Sequence, residues 1–352
     1  MTLVAAFRVS GVPGLIGDFL ITTGEDRERG SKKIERIRPN LAVGWTGRLL
    51  QAGAVLRHMY VDLSRRPTYD EVREWFECLD AATIGASKLK LVGWIIDDGG
   101  ARSFHWDAGT APFVQWDELA WFIGSGSATA EAFYDAYMKG SSTVEEADER
   151  DALDWILGAL TATNTHDLMD ASSHALGFGG GYEALYWSRS TASFQYVERV
   201  LYYIAGRELD ALGHAVEGPQ QFAESVACYH TIGECSVLDI NGVGPNGSRR
   251  TWAMSAVGTP VAETQIAEHL RALGQLPADM RADFHAGLLA VRTPRGPERP
   301  IPFIQCPWDR LQYVEGVVGG INLRIPPEMF EFVYRARTAL SDGDAEPFVR
   351  PE

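Results

Sequence analysis

Apolar positions dominate the chain from its third residue. VAAFRVS has the pattern of a strand, Gly11 to Gly14 read as a turn, and LIGDFLITT returns as a second run rich in β-branched residues, so the chain opens on an expected hairpin. A polar stretch, GEDRERGSKK, leads into IERI and LAVGWTG, both short apolar runs of strand type. RLLQAGAVLRHMYVDL then places apolar residues at helical spacing, and Pro67, Thr68 and Glu71 announce a second helix through VREWFECL by the capping-box pattern. Strand patterns come back in LKLVGWIID and ARSFHW around the turn Asp98-Gly99-Gly100, and they end near FIGSGS. Helical spacing follows in ATAEAFYDAYM, and Thr143 with Glu146 repeats the capping box ahead of ERDALDWILGALTA. EALYWSR and ASFQYVERVLYYI read as strands.

The order strands, helix pair, strands, helix pair, strands predicts a layered sheet-and-helix domain. Near Gly206 the texture changes: GHAVEGPQQ reads as a linker, and PNGSRR and RTPRGPERPIP punctuate short apolar runs. The expected division is therefore 2–206 for the layered domain and 207–352 for an appended domain of mixed strand and helix. No internal repeat stands out.

Composition refines this picture in three ways. A chain of 352 residues exceeds what one core usually holds, in keeping with two domains. With 47 acidic against 32 basic residues, the formal net charge of −15 opposes nucleic acid and anionic lipid as partners. No apolar run reaches a membrane span, and a strand beginning at the initiator methionine leaves no room for a signal peptide, so a cytoplasmic protein is expected. Cys78, Cys228, Cys235 and Cys306 are too few and scattered for a disulfide framework, and reduced thiols are the default.

The candidate chemistry lies at the start. A threonine hydroxyl needs a base, and an N-terminal threonine carries one in its own α-amino group, whose pKa is about 8. Thr2 becomes that terminus if Met1 is removed, as is usual before a small residue. Read alone, Thr2 is the first residue of a strand, Asp18 a solvated hairpin charge and Lys33 a surface lysine.

Taken together, Thr2, the strand aspartate of IGDFLITT, the GSKKIERI segment, LAVGWTG before a helix and FIGSGS before another resemble the proteasome β-subunit and HslV family of N-terminal nucleophile hydrolases. The likeness covers roughly the first 200 residues. It implies a four-layer αββα sandwich, hence an α+β fold with the appended C-terminal mixed α/β domain. It matches Thr2 to the nucleophile, Asp18 to the strand carboxylate, Lys33 to the lysine, Gly44 to the oxyanion glycine and Ser125 to the serine of GSGS. Asp170 and Ser173 have the internal spacing of the family's Asp-x-x-Ser, although HALGF intervenes before the glycines; helix-end and loop roles are their alternative. Leu20 stands where the family commonly has arginine. An ammonium at Lys33 would lower the amine pKa and support an alkoxide, Asp18 would aim it, and the Gly44 N–H would donate to the oxyanion.

The resemblance implies an amide or peptide hydrolase working through an acyl-enzyme on Thr2, with a peptide or protein substrate and a homo-oligomer, ring-forming in the family. A connectase-like transpeptidase or ligase and a catalytically inactive proteasome-like scaffold are the alternatives. With the complete site inside 2–206, the appended domain would govern access or assembly. No cofactor is expected. Cys228, His230, Cys235 and Cys306 are poorly spaced for zinc and lie in an apolar sheet pattern; His166 and His174 read as loop or helix-end residues. GFGGG lacks the lysine and hydroxyl residue of a phosphate loop, and Trp45, Trp121 and Trp187 read as core or interface residues.

Overall fold

A computed structural model describes residues 2–23, 26–79, 88–109, 111–116, 118–137, 179, 181–208, 223–232, 235–242, 249–255, 284–294, 296–297, 301–305, 312–315 and 321–324, with isolated helical positions within 149–163 and 264–272. In chain order the elements begin β1 (Val4–Val9), β2 (Val12–Asp18), β3 (Leu20–Thr23), β4 (Asp26–Gly30), β5 (Ile34–Arg38), β6 (Leu41–Thr46), α1 (Leu49–Asp62) and α2 (Tyr69–Cys78). Then come β7 (Lys90–Asp97), β8 (Gly100–Asp107), β9 (Ala111–Val114), β10 (Ala120–Ile123), α3 (Ser127–Tyr137), β11 (Tyr182–Ser188) and β12 (Ser193–Tyr196). The remainder is β13 (Val200–Glu208), β14 (Ala223–Ile232), β15 (Cys235–Gly242), β16 (Arg249–Ser255), β17 (Phe284–Thr293), β18 (Gly296–Pro297), β19 (Ile301–Gln305), β20 (Gln312–Glu315) and β21 (Ile321–Arg324).

The opening hairpin is tighter than the glycine pattern suggests. Val9 pairs with Val12, so only Ser10 and Gly11 form the loop, both at positive φ (48° and 74°), the geometry that matches strand twist in a two-residue turn. β1 and β2 sit in a five-stranded sheet of order β10-β1-β2-β11-β12, and a second five-stranded sheet runs β5-β6-β7-β8-β9. Every pairing recorded in these two sheets is antiparallel.

Side-chain alternation assigns the faces. Leu41, Val43 and Trp45 of β6 join Val55, Leu56, Met59, Val72 and Phe76 of α1 and α2 in one buried cluster. Ala42, on the opposite face of β6, joins Val92 and Trp94 of β7 with Val4, Leu15 and Leu185 of the other sheet in a second. The two sheets thus share one interior, closed further by the Trp94 indole N–H donating to Gly14 O at 3.2 Å. The other face of β1 meets α3: Leu3, Ala5 and Phe7 share a small apolar pocket with Phe122, Ala130 and Tyr134. α1 and α2 thus pack on one sheet and α3 lies beside β1 of the other, a mixed architecture of antiparallel sheets and helices.

The cap of α2 forms only in part as the sequence pattern suggests. Thr68 accepts the Glu71 N–H at 3.2 Å, but the Glu71 carboxylate turns away to Ser64, taking its N–H at 2.7 Å and its hydroxyl at 2.9 Å. Asp97 takes the N–H of Tyr69, the first residue of the helix, at 2.9 Å. The second box, at Thr143 and Glu146, lies outside the described residues.

ASFQYVERVLYYI is not one strand. It breaks after Tyr196, Arg199 adopts φ +50°, and the chain passes from β12 in the first sheet to β13 in a seven-stranded sheet ordered β16-β15-β14-β13-β17-β18 with β19 on β17. In that sheet β13 runs antiparallel to β14 and parallel to β17. The chain divides into two compact units, neither a single stretch: 1–198 with 230–238 and 252–273, and 199–229 with 239–251 and 274–352. Among the described residues, no helix is long and apolar enough to cross a membrane.

Candidate active site around Thr2

Thr2 is fixed by three neighbouring segments before any of its chemistry is considered. Its N–H donates to Ser125 Oγ at 3.2 Å, and its carbonyl accepts the Gly126 N–H at 3.1 Å. The loop can approach this closely because Gly124 has no side chain: a Cβ there would lie 2.0 Å from the Thr2 carbonyl oxygen, and its φ is +101°. The glycines of FIGSGS therefore let the loop wrap around Thr2, two residues before β1. Thr2 itself is buried, 2% exposed.

Asp18, at the end of β2, clamps the next residue. Its Oδ1 accepts the Leu3 N–H at 3.0 Å, its own N–H reaches Leu3 O at 3.0 Å, and its Oδ2 accepts the Gly179 N–H at 3.0 Å. The carboxylate is fully buried and meets two backbone donors.

Lys33 approaches from the segment before β5. Its Nζ donates to Leu20 O at 2.9 Å and, in a longer contact, to Thr2 Oγ1 at 3.4 Å. It also stands 4.8 Å from the centre of the Trp45 ring. Burial pushes the Lys33 pKa below the ordinary lysine value, and the negative charge of Asp18 offsets part of that push. The result is a desolvated lysine beside a hydroxyl whose own backbone is held by Ser125 and Gly126, with Gly124 admitting the close approach.

Of the residues singled out in the sequence, the structure thus brings Thr2, Lys33 and Ser125 into hydrogen-bonding reach, with Asp18 on the adjoining backbone. Gly44 lies along β6, opposite Ile34 on one side and Val92 on the other. A Cβ at Gly44 would come 2.4 Å from Val4 Cγ1, so packing against β1 requires glycine there whatever else the residue does. Asp170 and Ser173 lie outside the described residues, as do His166, His174 and Cys306. Cys228 and His230 fall in β14; Cys235 is buried, its thiol 3.9 Å from Ser236 O. Among the described residues no group of three His, Cys, Asp or Glu side chains is placed to hold a metal.

No protein-family model and no curated protein sequence matches the chain. Its structure is similar to that of the Anbu (Gly-1) mutant from Hyphomicrobium sp. strain MC1, at 15% identity over 55% of this chain and 85% of that one, with a TM-score of 0.42. A likeness so loose leaves the function to be argued from the geometry.

Three residues beside the site were missed in the sequence: Lys32, Glu183 and Ser236. All are fully buried. Lys32 Nζ pairs with Glu183 Oε2 at 3.1 Å and donates to Ser236 Oγ at 2.8 Å, while Ser236 donates to the same Glu183 oxygen at 2.9 Å. The Tyr196 ring centre lies 3.6 Å from Lys32 Nζ. The one signal available was the strand EALYWSR itself, where a glutamate stands in an otherwise apolar stretch; its partners are 151 residues before it and 53 after, beyond any local pattern.

Proposed function

We propose that the chain is a hydrolase of amide or peptide bonds that uses Thr2, exposed by removal of Met1, as its nucleophile, on an αββα sandwich of the N-terminal nucleophile type. The observation that carries this reading is the approach of Lys33 Nζ to Thr2 Oγ1 at 3.4 Å with Ser125 Oγ on the Thr2 nitrogen. The shared interior of two antiparallel sheets, with helix on their outer faces, supports the fold part of it.

In this mechanism Thr2 Oγ1 attacks the carbonyl carbon and its proton passes to the α-amine. The Lys33 ammonium stabilises the developing alkoxide and disfavours a protonated amine beside it; a desolvated ammonium is the stronger donor for that task. Asp18 keeps β1 in register with Lys33 through Leu3. The tetrahedral intermediate collapses as the α-ammonium returns the proton to the leaving amine, which departs and leaves an ester on Oγ1. Water, deprotonated by the α-amine, then attacks the ester and frees the acid. Gly44, mid-strand between β5 and β7 with its N–H in the ladder, serves in this reading to pack β6 against β1 rather than to donate to the oxyanion.

The test is cleavage of a fluorogenic peptide-amide panel by the full chain and by Thr2→Ala. The reading expects turnover by the parent and none above background in a variant of unchanged melting temperature. Equal turnover by both would remove Thr2 as nucleophile.

A further inference from the structure

Lys32 and Lys33 are consecutive, both at most 2% exposed, and both end in an ammonium inside the protein. Two desolvated positive charges on neighbouring residues repel, and burial of either is costly unless an opposite charge answers it. The fold supplies two carboxylates from adjacent strands. Asp18 of β2 pairs in register with Tyr182 of β11, and Glu183 follows directly, opposite Gly17. Asp18 acts electrostatically on Lys33, and Glu183 forms the ion pair with Lys32. Ser236 closes the second pair by accepting from the lysine and donating to the carboxylate. Trp45 couples the two lysines mechanically: its indole N–H holds Lys32 O at 3.0 Å, its backbone N–H holds Lys33 O at 2.9 Å, and its ring lies under Lys33 Nζ.

We infer that Lys32, Glu183 and Ser236 are positioning residues, a buried and internally neutral cluster that lets the second ammonium, that of Lys33, stand beside it facing Thr2. The inference rests on Lys33 being the partner of Thr2. Among the described residues Asp18 of β2 acts electrostatically on Lys33, Lys32 is its neighbour in the chain with Glu183 of β11 on its ammonium, and the Thr2 hydroxyl, the Leu20 carbonyl and the Trp45 ring lie against Lys33 Nζ. Removing the Glu183 charge leaves the Lys32 ammonium unanswered next to Lys33, and like-charge repulsion then drives Lys33 toward losing its proton. Ser236 comes from 230–238, a segment distant in sequence that belongs to the same compact unit as Thr2. A chain cut near Gly206 would lack it.

The experiment is an NMR titration of the full chain carrying 13C-labelled lysine, the Lys33 ε-carbon signal being assigned by its loss in Lys33→Arg. Glu183→Gln is expected to lower the Lys33 midpoint by about one unit, a tenfold loss of proton affinity. The double variant Lys32→Met/Glu183→Gln, which removes both charges, should return it toward the parent value. Ser236→Ala, which keeps both charges, should shift it in the same direction by about threefold in affinity. A purely structural cluster would lower the melting temperature and leave the Lys33 midpoint where it is. A folded Glu183→Gln with an unmoved midpoint, or a double variant that fails to return it, overturns the inference. Should Glu183→Gln not fold, Ser236→Ala decides: a downward shift supports the cluster and an unchanged midpoint overturns it. The readout needs no substrate, so it is independent of whether Thr2 turns anything over.

Discussion

Lys32 and Lys33 are chemically identical and adjacent, yet they meet different surroundings. Lys32 ends between a carboxylate, a hydroxyl and an aromatic face, all committed to it. Lys33 ends on a backbone carbonyl and the Thr2 hydroxyl, with its compensating carboxylate engaged by two backbone N–H groups. The first arrangement is what a buried charge requires for stability, and the second suits the part proposed for Lys33 beside the Thr2 hydroxyl. A comparison of this kind separates function from support more sharply than burial does, since burial is the same for both.

The largest expected effect breaks the comparison at its reacting end. Thr2→Ala removes the hydroxyl that Lys33 faces and should lower turnover by more than about a thousandfold with the melting temperature unchanged. Next, the two lysines should respond oppositely to the same substitution. Lys33→Met is expected to depress turnover by about a hundredfold or more while stability holds or rises, because an incompletely paired buried ammonium has been replaced by an apolar chain. Lys32→Met strands Glu183 and should cost about 3 to 5 kcal/mol of stability in a denaturant titration. Similar losses of stability in both variants would erase the distinction.

The pH dependence of stability follows from the lowered Lys33 pKa. In the unfolded chain this lysine titrates near 10.4. Between the lower folded value and that number the unfolded state binds the extra proton, so stability rises with pH across the window, and below the folded value the cost of the buried ammonium is present in full. Lys33→Met should abolish that rise, as read by urea unfolding at a series of alkaline pH values; the same rise persisting in the variant would assign it to another group.

The smallest effect compares two serines. Ser125 holds the Thr2 nitrogen and Ser236 holds Lys32. Ser125→Ala should reduce turnover by about tenfold with little change in stability, the worth of one hydrogen bond to a charged group. Ser236→Ala should lower the melting temperature by a few degrees instead. An exchange of these outcomes would mean that the reacting and supporting halves have been assigned the wrong way round.

Much of the candidate site was legible in the sequence because its landmarks are spaced along a short stretch of chain: Thr2, Asp18 and Lys33 fall within the first 33 residues, just before β1, at the end of β2 and just before β5, where the strand patterns can be read locally. Ser125 was legible through its glycines, although that Gly124 exists to admit the Thr2 carbonyl needed coordinates. The layered order of strands and helices followed from periodicity. The cluster around Lys32 was not legible, because each member reads as an ordinary polar residue and only the meeting of β11, β15 and the KK pair makes it one feature. ASFQYVERVLYYI was rightly read as extended, but β-branched and aromatic residues do not say which sheet receives a strand, and the passage from β12 to β13 comes where Arg199 adopts a positive φ.

The most direct measurement is the mass of the N-terminal peptide of the full chain after treatment with a peptidyl β-lactone, a strained ester that captures an activated hydroxyl. The account predicts a chain that begins at Thr2 and carries one acyl group on Oγ1, with no such adduct in Thr2→Ala. A chain that retains Met1 and takes up no acyl group at Thr2 would contradict it.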